Sequence, residues 1–349
     1  MKKTLSALLL SAGFLAGCET EIDITGDNTP TAVVYGVLDR NNANHVFKVN
    51  KTFLGEGNAL SFAQIQDSSL IPGVRPKVVR RLNGVVDLEF PVLDTILSGK
   101  PDGTFYSGDV KAFYFREPNL TTDNGYDYAI SFEYNGETVS ASTVTVQPPA
   151  LKSPGPNLGA IDIVSSSPDP LNPRFNSLAV SMDKPKNSFK HEFEVQFTYL
   201  EIYNDSSSAL KKITVGKSLV DGSSTLSSVS SFFEAQGIFD AILGTVKDDD
   251  NVHFREIKNF EIRVISMGQD LATYVEVNNP ITAVIQERPE FTNVNNGLGI
   301  FSSKGEILRP IAVGERTSRY MTTNTNWLDK KFCSRLPFTV RESQSACPR

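Results

Sequence analysis

From Tyr126 onward, Tyr126, Tyr128, Ile130, Phe132 and Tyr134 alternate with Asp127, Ala129, Ser131 and Glu133. An extended chain sends successive side chains to opposite faces, so a period of two predicts a strand with one buried face. Asn135-Gly136 follows at once. That pair tolerates the positive φ values of a type I′ turn, and the Thr-, Ser- and Val-rich stretch 137–146 supplies the return strand of a hairpin. Runs at 31–38, 45–52, 74–82, 85–90 and 113–115 read as further short strands, separated by Gly, Pro, Asn and Asp. A first domain over 31–147 is therefore expected to be antiparallel β-structure.

With 349 residues, 40% of them apolar, the chain has material for two cores. The division is placed at 148–157, where Pro148, Pro149, Pro154 and Pro156 remove ladder donors and keep the backbone extended. The second domain, 158–349, is expected to be β-rich α+β with one or two helices. Strands are expected at 178–182, at 192–199, where Phe193, Val195, Phe197 and Tyr199 alternate with polar residues, and at 260–266, with a turn at 205–208. The Ser-rich run 222–231 leads to Ser231 and Glu234, which have capping-box spacing. Phe232, Ala235, Phe239, Ile242, Leu243 and Val246 then share one helical face, which predicts a helix ending at Asp248-Asp249-Asp250. A shorter helix is expected at 269–275. A Tyr opening the penultimate strand of the first domain, ahead of a Ser/Thr-rich final strand, resembles immunoglobulin-like and fibronectin type III domains, so a β-sandwich of that kind is expected there.

The N-terminus bears on the compartment. Lys2 and Lys3 precede an apolar stretch, 4–15, of the length an export signal needs and too short for a stop-transfer helix. Leu15-Ala16-Gly17-Cys18 resembles the bacterial lipobox, which implies removal of 1–17 and a diacylglycerol on Cys18. One acyl chain anchors marginally and two or more anchor stably, so the mature chain is expected to stay on a membrane through Cys18. Residues 18–30 are polar and read as a flexible tether. Glu19, Glu21 and Asp23 resemble the acidic surface-export signal of Bacteroidota lipoproteins; solvated charge in a disordered tether is the alternative.

Loss of Lys2 and Lys3 leaves 32 basic against 40 acidic residues, moving the formal charge from -6 to -8. Nucleic acid is excluded as an expected partner, because its binding depends on Lys and Arg neutralising phosphates. With Cys18 lipidated, Cys333 and Cys347 remain, fourteen positions apart. In an oxidising compartment this pair is expected to form a disulfide, with two free buried thiols as the alternative.

The passage Leu271-Ala272-Thr273-Tyr274, a Pro-containing gap, and then Phe291-Thr292-Asn293-Val294-Asn295-Asn296-Gly297-Leu298-Gly299-Ile300-Phe301 resembles the C-terminal signature of a family of Bacteroidota outer-membrane lipoproteins. Asn50-Lys51-Thr52-Phe53-Leu54-Gly55 resembles a second stretch of that family. The resemblance implies an outer-membrane location and an N-terminal β-sandwich. The family has no established activity, so it implies no catalytic residue. In physical terms the Asn/Gly passage reads as a tight loop feeding a strand at 298–302, with an anion-binding nest of backbone amides as the alternative.

Catalytic motifs are thin. His45, His191 and His253 each stand beside an expected strand, without HxxxH or HExxH spacing, and no GxSxG elbow occurs. Asp248-Asp249-Asp250-Asn251 lacks the alternate-position spacing of a calcium loop and reads as solvated charge at a helix end. No metal, cofactor or catalytic residue is assigned. The expected function is a lipid-anchored outer-membrane protein, exposed at the cell surface or otherwise facing the periplasm. It would act as an interaction or structural protein alongside other envelope proteins, as an accessory subunit of a transport or assembly complex. The alternative is a glycan- or nutrient-binding surface lipoprotein, with a hydrolase ranked third. A glycan binder should expose aromatic platforms, and the single Trp327 argues mildly against one.

Overall fold

The computed structural model describes residues 29–53, 59–165, 173–222, 227–278, 290–335 and 346–348. The expected signal peptide, Cys18, the tether up to residue 28, Leu54-Gly55 and positions 223–226 of the Ser-rich run lie outside the described residues.

The chain is mainly β. In order it forms β1 (Ala32–Asp39), β2 (Asn44–Lys51), two short helices α1 (Ala59–Ala63) and α2 (Gln66–Ser69), β3 (Lys77–Leu82), β4 (Val85–Phe90), β5 (Val92–Leu97), β6 (Val110–Arg116), β7 (Tyr126–Tyr134) and β8 (Glu137–Thr143). There follow β9 (Leu151–Ser153), β10 (Ala160–Ile161), β11 (Leu178–Asp183), β12 (Lys190–Tyr203), β13 (Ser208–Asp221), β14 (Ser228–Phe233), α3 (Ala235–Thr245), β15 (Val252–Met267), α4 (Gln269–Asn278) and β16 (Gly297–Val313). The last elements are α5 (Glu315–Thr323), a 3-10 turn at Thr325–Lys330, and β17 (Phe332–Cys333).

The hairpin is built as its residues dictate. Asn135 and Gly136 adopt φ of 52° and 81°, and β7 pairs with β8 from Tyr134↔Glu137 back to Tyr128↔Thr143. The order β4-β3-β7-β8 makes a four-stranded sheet, and β1-β2-β6-β5 forms one end of a larger sheet. Between the two lie Val34, Phe47, Phe115, Val78, Tyr128, Ile130 and Phe132, all buried in one apolar cluster.

The larger sheet continues as β13-β12-β15-β16-β1, so both halves of the chain share it. β16 makes the join. Its first part runs parallel to β1, from Ala32↔Gly297 to Asp39↔Lys304, and its second part runs antiparallel to β15, from Met267↔Lys304 to Asn259↔Ala312. Lys304, at the switch, reaches Asp39 from the first half at 3.6 Å and Glu306 at 2.6 Å. A second apolar cluster, with Phe193, Phe197, Phe260, Ile262, Phe239 and Trp327, lies under α3 and the C-terminal segment.

Three local readings differ from the structure. The segment 148–157, read as a linker, contributes β9 to the sheet β14-β11-β9, and the Arg309 guanidinium holds the carbonyls of Pro154 and Gly155, each at 2.6 Å. Proline removes a donor, yet its carbonyl remains free to accept. The helix expected to be capped by Ser231 starts three residues late, at Ala235. Residues 228–233 pair with β11 as a strand, so Phe232 is exposed, and Glu234 accepts a bond from Ser177 Oγ at 2.8 Å instead of closing a capping box. Finally β5, β13 and α5 were not expected; α5 buries Thr317, Ser318, Met321 and Thr322, a face with little hydrophobic signal.

Gly299 sits at φ +99°, and a Cβ there would lie 2.1 Å from the Val34 carbonyl oxygen. Gly299→Ala should therefore cost on the order of 3 kcal/mol by forcing β1 and β16 apart. Gly237→Ala, on α3 with open space around it, should gain about 0.5–1 kcal/mol from helix propensity. Urea unfolding of the two variants should give shifts of opposite sign.

Candidate functional site

The structure scatters the three histidines. His45, on β2, is buried, its Nε2 is 2.9 Å from the Glu117 carbonyl and its ring packs on Phe115 at 5.0 Å. Burial lowers its pKa, and the Glu117 carbonyl and Asp39 act against that shift. His191, on β12, is fully buried, with Nδ1 2.9 Å from Ser266 Oγ and Nε2 without a partner among the described residues. Burial first, and Lys184 second, push its pKa down to about 4. His253, on β15, is exposed beside Phe254. No two of them share a site. Among the described residues, no group of three or more His, Cys, Asp or Glu is placed to hold a metal ion, and no helix is long and apolar enough to cross a membrane.

The other singled-out residues have structural partners. Asp248 pairs with Lys330 Nζ at 2.9 Å, Asp249 Oδ1 accepts from the Asn251 amide, and the Asp250 carbonyl accepts from Asn204. The acidic run thus ties the end of α3 to the C-terminal segment. Asn293 acts as a substitute strand residue: its Oδ1 accepts from the Phe301 amide at 2.9 Å, and its Nδ2 donates to the Phe301 carbonyl at 2.8 Å and to Asp270. Asn295 exchanges two backbone bonds with Ser140. These amides are committed within the fold, which is the geometry of a packed loop. Cys333 and Cys347 are joined by a disulfide with Cα atoms 4.8 Å apart. Trp327 is buried, packed edge-on against Phe239 at 5.6 Å, so it presents no ring to solvent.

A different surface draws the apolar residues together. β4 and β5 are successive strands separated only by Pro91, yet β4 is the edge of the four-stranded sheet and β5 the edge of the larger one. Both expose large apolar side chains: Val85 (71%), Val86, Leu88, Leu93, Ile96 (62%) and Leu97. Arg80 on β3 pairs with Asp87 on β4, and Arg81 on β3 pairs with Asp127 on β7; each carboxylate raises its arginine's pKa. β5 carries a single charge, Asp94. The opposite edge of the larger sheet, β13, carries Lys211, Lys212 and Lys217, the usual guard against edge-to-edge pairing. Two apolar runs on either side of Pro91 are the signal that sequence reading could have used; β5 went unread because Val92, Leu93, Ile96 and Leu97 do not alternate strictly.

His191 provides a pH test of this packing. Its folded pKa lies below the ordinary 6.5, so between about pH 6.5 and pH 4 the unfolded chain binds the extra proton and stability falls as pH falls. At pH 4 the loss relative to neutral pH is about 3 kcal/mol. His191→Gln should flatten that part of the stability–pH curve measured by urea unfolding; an unchanged slope would show that His191 is not its source. No known protein family matches the chain, and no curated protein matches it.

Proposed function

We propose that this chain is a lipid-anchored outer-membrane interaction protein at the cell surface, held by acylated Cys18 and serving as an accessory subunit of an envelope transport or assembly complex. The observation that carries the reading is the apolar double edge at β4 and β5. An unpaired strand edge offers a row of N–H and C=O groups, and a strand from a partner can add to it, with neighbouring apolar side chains supplying further burial. The partner this edge suits is an envelope protein presenting an extended apolar strand.

The N-terminal half acts in this reading as an immunoglobulin- or fibronectin-III-like sandwich that holds the edge rigid. Two features support that assignment. The orders β1-β2-β6-β5 and β4-β3-β7-β8 correspond to the ABED and C′CFG sheets of such domains. The Tyr128 hydroxyl accepts a bond from the Thr121 amide at 3.1 Å, as a tyrosine-corner residue does. The lipobox supports the anchor, and the acidic residues behind Cys18 support surface exposure.

Purification in mild detergent from the native host should recover this protein with stoichiometric envelope partners. The double variant Val86→Lys, Ile96→Lys should reduce that recovery at least fivefold without shifting the melting temperature by more than a few degrees. Undiminished recovery would remove the edge from the interaction. Cys18→Ala should abolish lipid labelling and move the protein out of the membrane fraction, whereas membrane retention without labelling would defeat the anchor.

A further inference from the structure

A cavity of about 300 Å³ opens on the outer face of β1 and β2, on the side away from the sandwich core. Its floor is two cross-strand pairs, Tyr35↔Lys48 and Val33↔Asn50. Its roof is the α1–α2 segment and the stretch 100–110, laced together by backbone-directed bonds. Gln64 Nε2 donates to the carbonyls of Gly103 and Thr104 at 2.7 Å each, Gln66 Nε2 donates to Asp109 O at 2.6 Å, and the Tyr106 amide donates to Ala63 O at 2.8 Å. The concavity is therefore a constructed feature, and its size falls at the lower end of small-molecule sites.

Its charge is one-sided. Buried cations in the second half have carboxylates, Arg255 with Glu201 at 2.9 Å and Lys190 with Asp221 and Glu276; at the cavity Lys48 is half-buried and Lys100 exposed. Lys48 and Lys100 line this cavity with no carboxylate partner among the described residues. The Lys100 ammonium donates only to the Tyr106 carbonyl at 3.2 Å and lies 5.6 Å from the Phe105 ring centre. Burial, and then Lys100, hold the Lys48 pKa below its ordinary value. Two like charges in a half-enclosed apolar space repel each other until an anion joins them. The rest of the lining sets the aromatic rings of Tyr35, Phe105 and Tyr106 beside polar Lys51, Gln66 and Ser69.

We infer that this cavity binds a small organic carboxylate that carries an apolar or aromatic body. The carboxylate sits between Lys48 and Lys100, and the body lies against the aromatic side chains of the lining. The site is separate from the β4–β5 edge and stands or falls independently of it.

N-acetyl-L-phenylalanine has both parts in a molecule of suitable size, and its binding to the full chain can be measured by titration calorimetry. The wild-type protein should bind it with a submillimolar Kd. Its neutral carboxamide analogue should bind at least tenfold more weakly, and so should the acid to Lys48→Gln and to Lys100→Gln. Both substitutions keep most of the aliphatic stem, so melting temperatures should stay within a few degrees. No binding by wild type at millimolar ligand, equal binding of acid and carboxamide, or unchanged affinity in well-folded Lys48→Gln and Lys100→Gln would each overturn the assignment. Inorganic phosphate binding as tightly as the acid would also overturn it, since the aromatic walls would then contribute nothing.

Discussion

The backbone of Gly299 passes so close to the carbonyl of Val34 that no side chain fits between them, and the rest of the fold is registered against that contact. It lets β16 lie beside β1 in parallel, which sets Phe301 into the core of the first half, and it leaves the strand running on past Lys304 to meet β15. A one-residue slip would move every side chain of β16 to the opposite face of the sheet. Asn293 strengthens the same register from the side, because its carboxamide satisfies both backbone groups of Phe301. Gly305 then passes the backbone of Gln147 and Pro148 at a distance that again excludes a Cβ, so the chain between the two halves is packed against β16.

Polar groups follow the same economy in the interior. Arg255, almost fully buried, donates to Glu201 and to the carbonyls of Lys330 and Lys247, so one guanidinium binds the C-terminal turn, the loop after α3 and β12 to a single strand. Removing one partner of such a group leaves a charge stranded, which is far more costly than the modest net contribution of the pair. α5 is held similarly, by Thr317 Oγ1 accepting from the Ile163 amide and Asp162 accepting from the Thr317 amide. The lysines of the β1–β2 cavity, without a carboxylate among the described residues, and the exposed apolar side chains of β4 and β5 both lie on the N-terminal half.

Local periodicity made much of the first half legible. The 126–143 hairpin, β1 to β4 and the later part of β6 all carry alternation or turn residues whose preferences are intrinsic to a few neighbouring positions. The second half was read less completely. β12, β15 and β16 are buried on both faces or shift register mid-strand, and β16 contains Gly305 and Pro310, which local rules treat as breaks. β13 has Lys, Ser and Thr on an exposed edge and so lacks a hydrophobic stripe. Of the candidate surfaces, β4 was visible as a strand, but nothing local marks it or β5 as a sheet edge, and nothing local brings Lys48 beside Lys100, fifty-two positions away.

By itself, the sequence determined where the chain alternates, where Asn135-Gly136 must turn, which residues cannot form a nearby metal or nucleophile motif, and which helix face of 235–246 seeks a core. These depend on interactions within one turn or one strand. Only the tertiary structure decided that β1 pairs with β16 across some 265 positions, that Ser231 belongs to a strand and not to a helix cap, that His191 is neutral and enclosed, and that two lysines face an aromatic cavity without a counter-ion. Those outcomes depend on what each segment meets after the chain closes on itself. Long-range burial and pairing, at several kcal/mol per element, outweigh local preferences worth a few tenths.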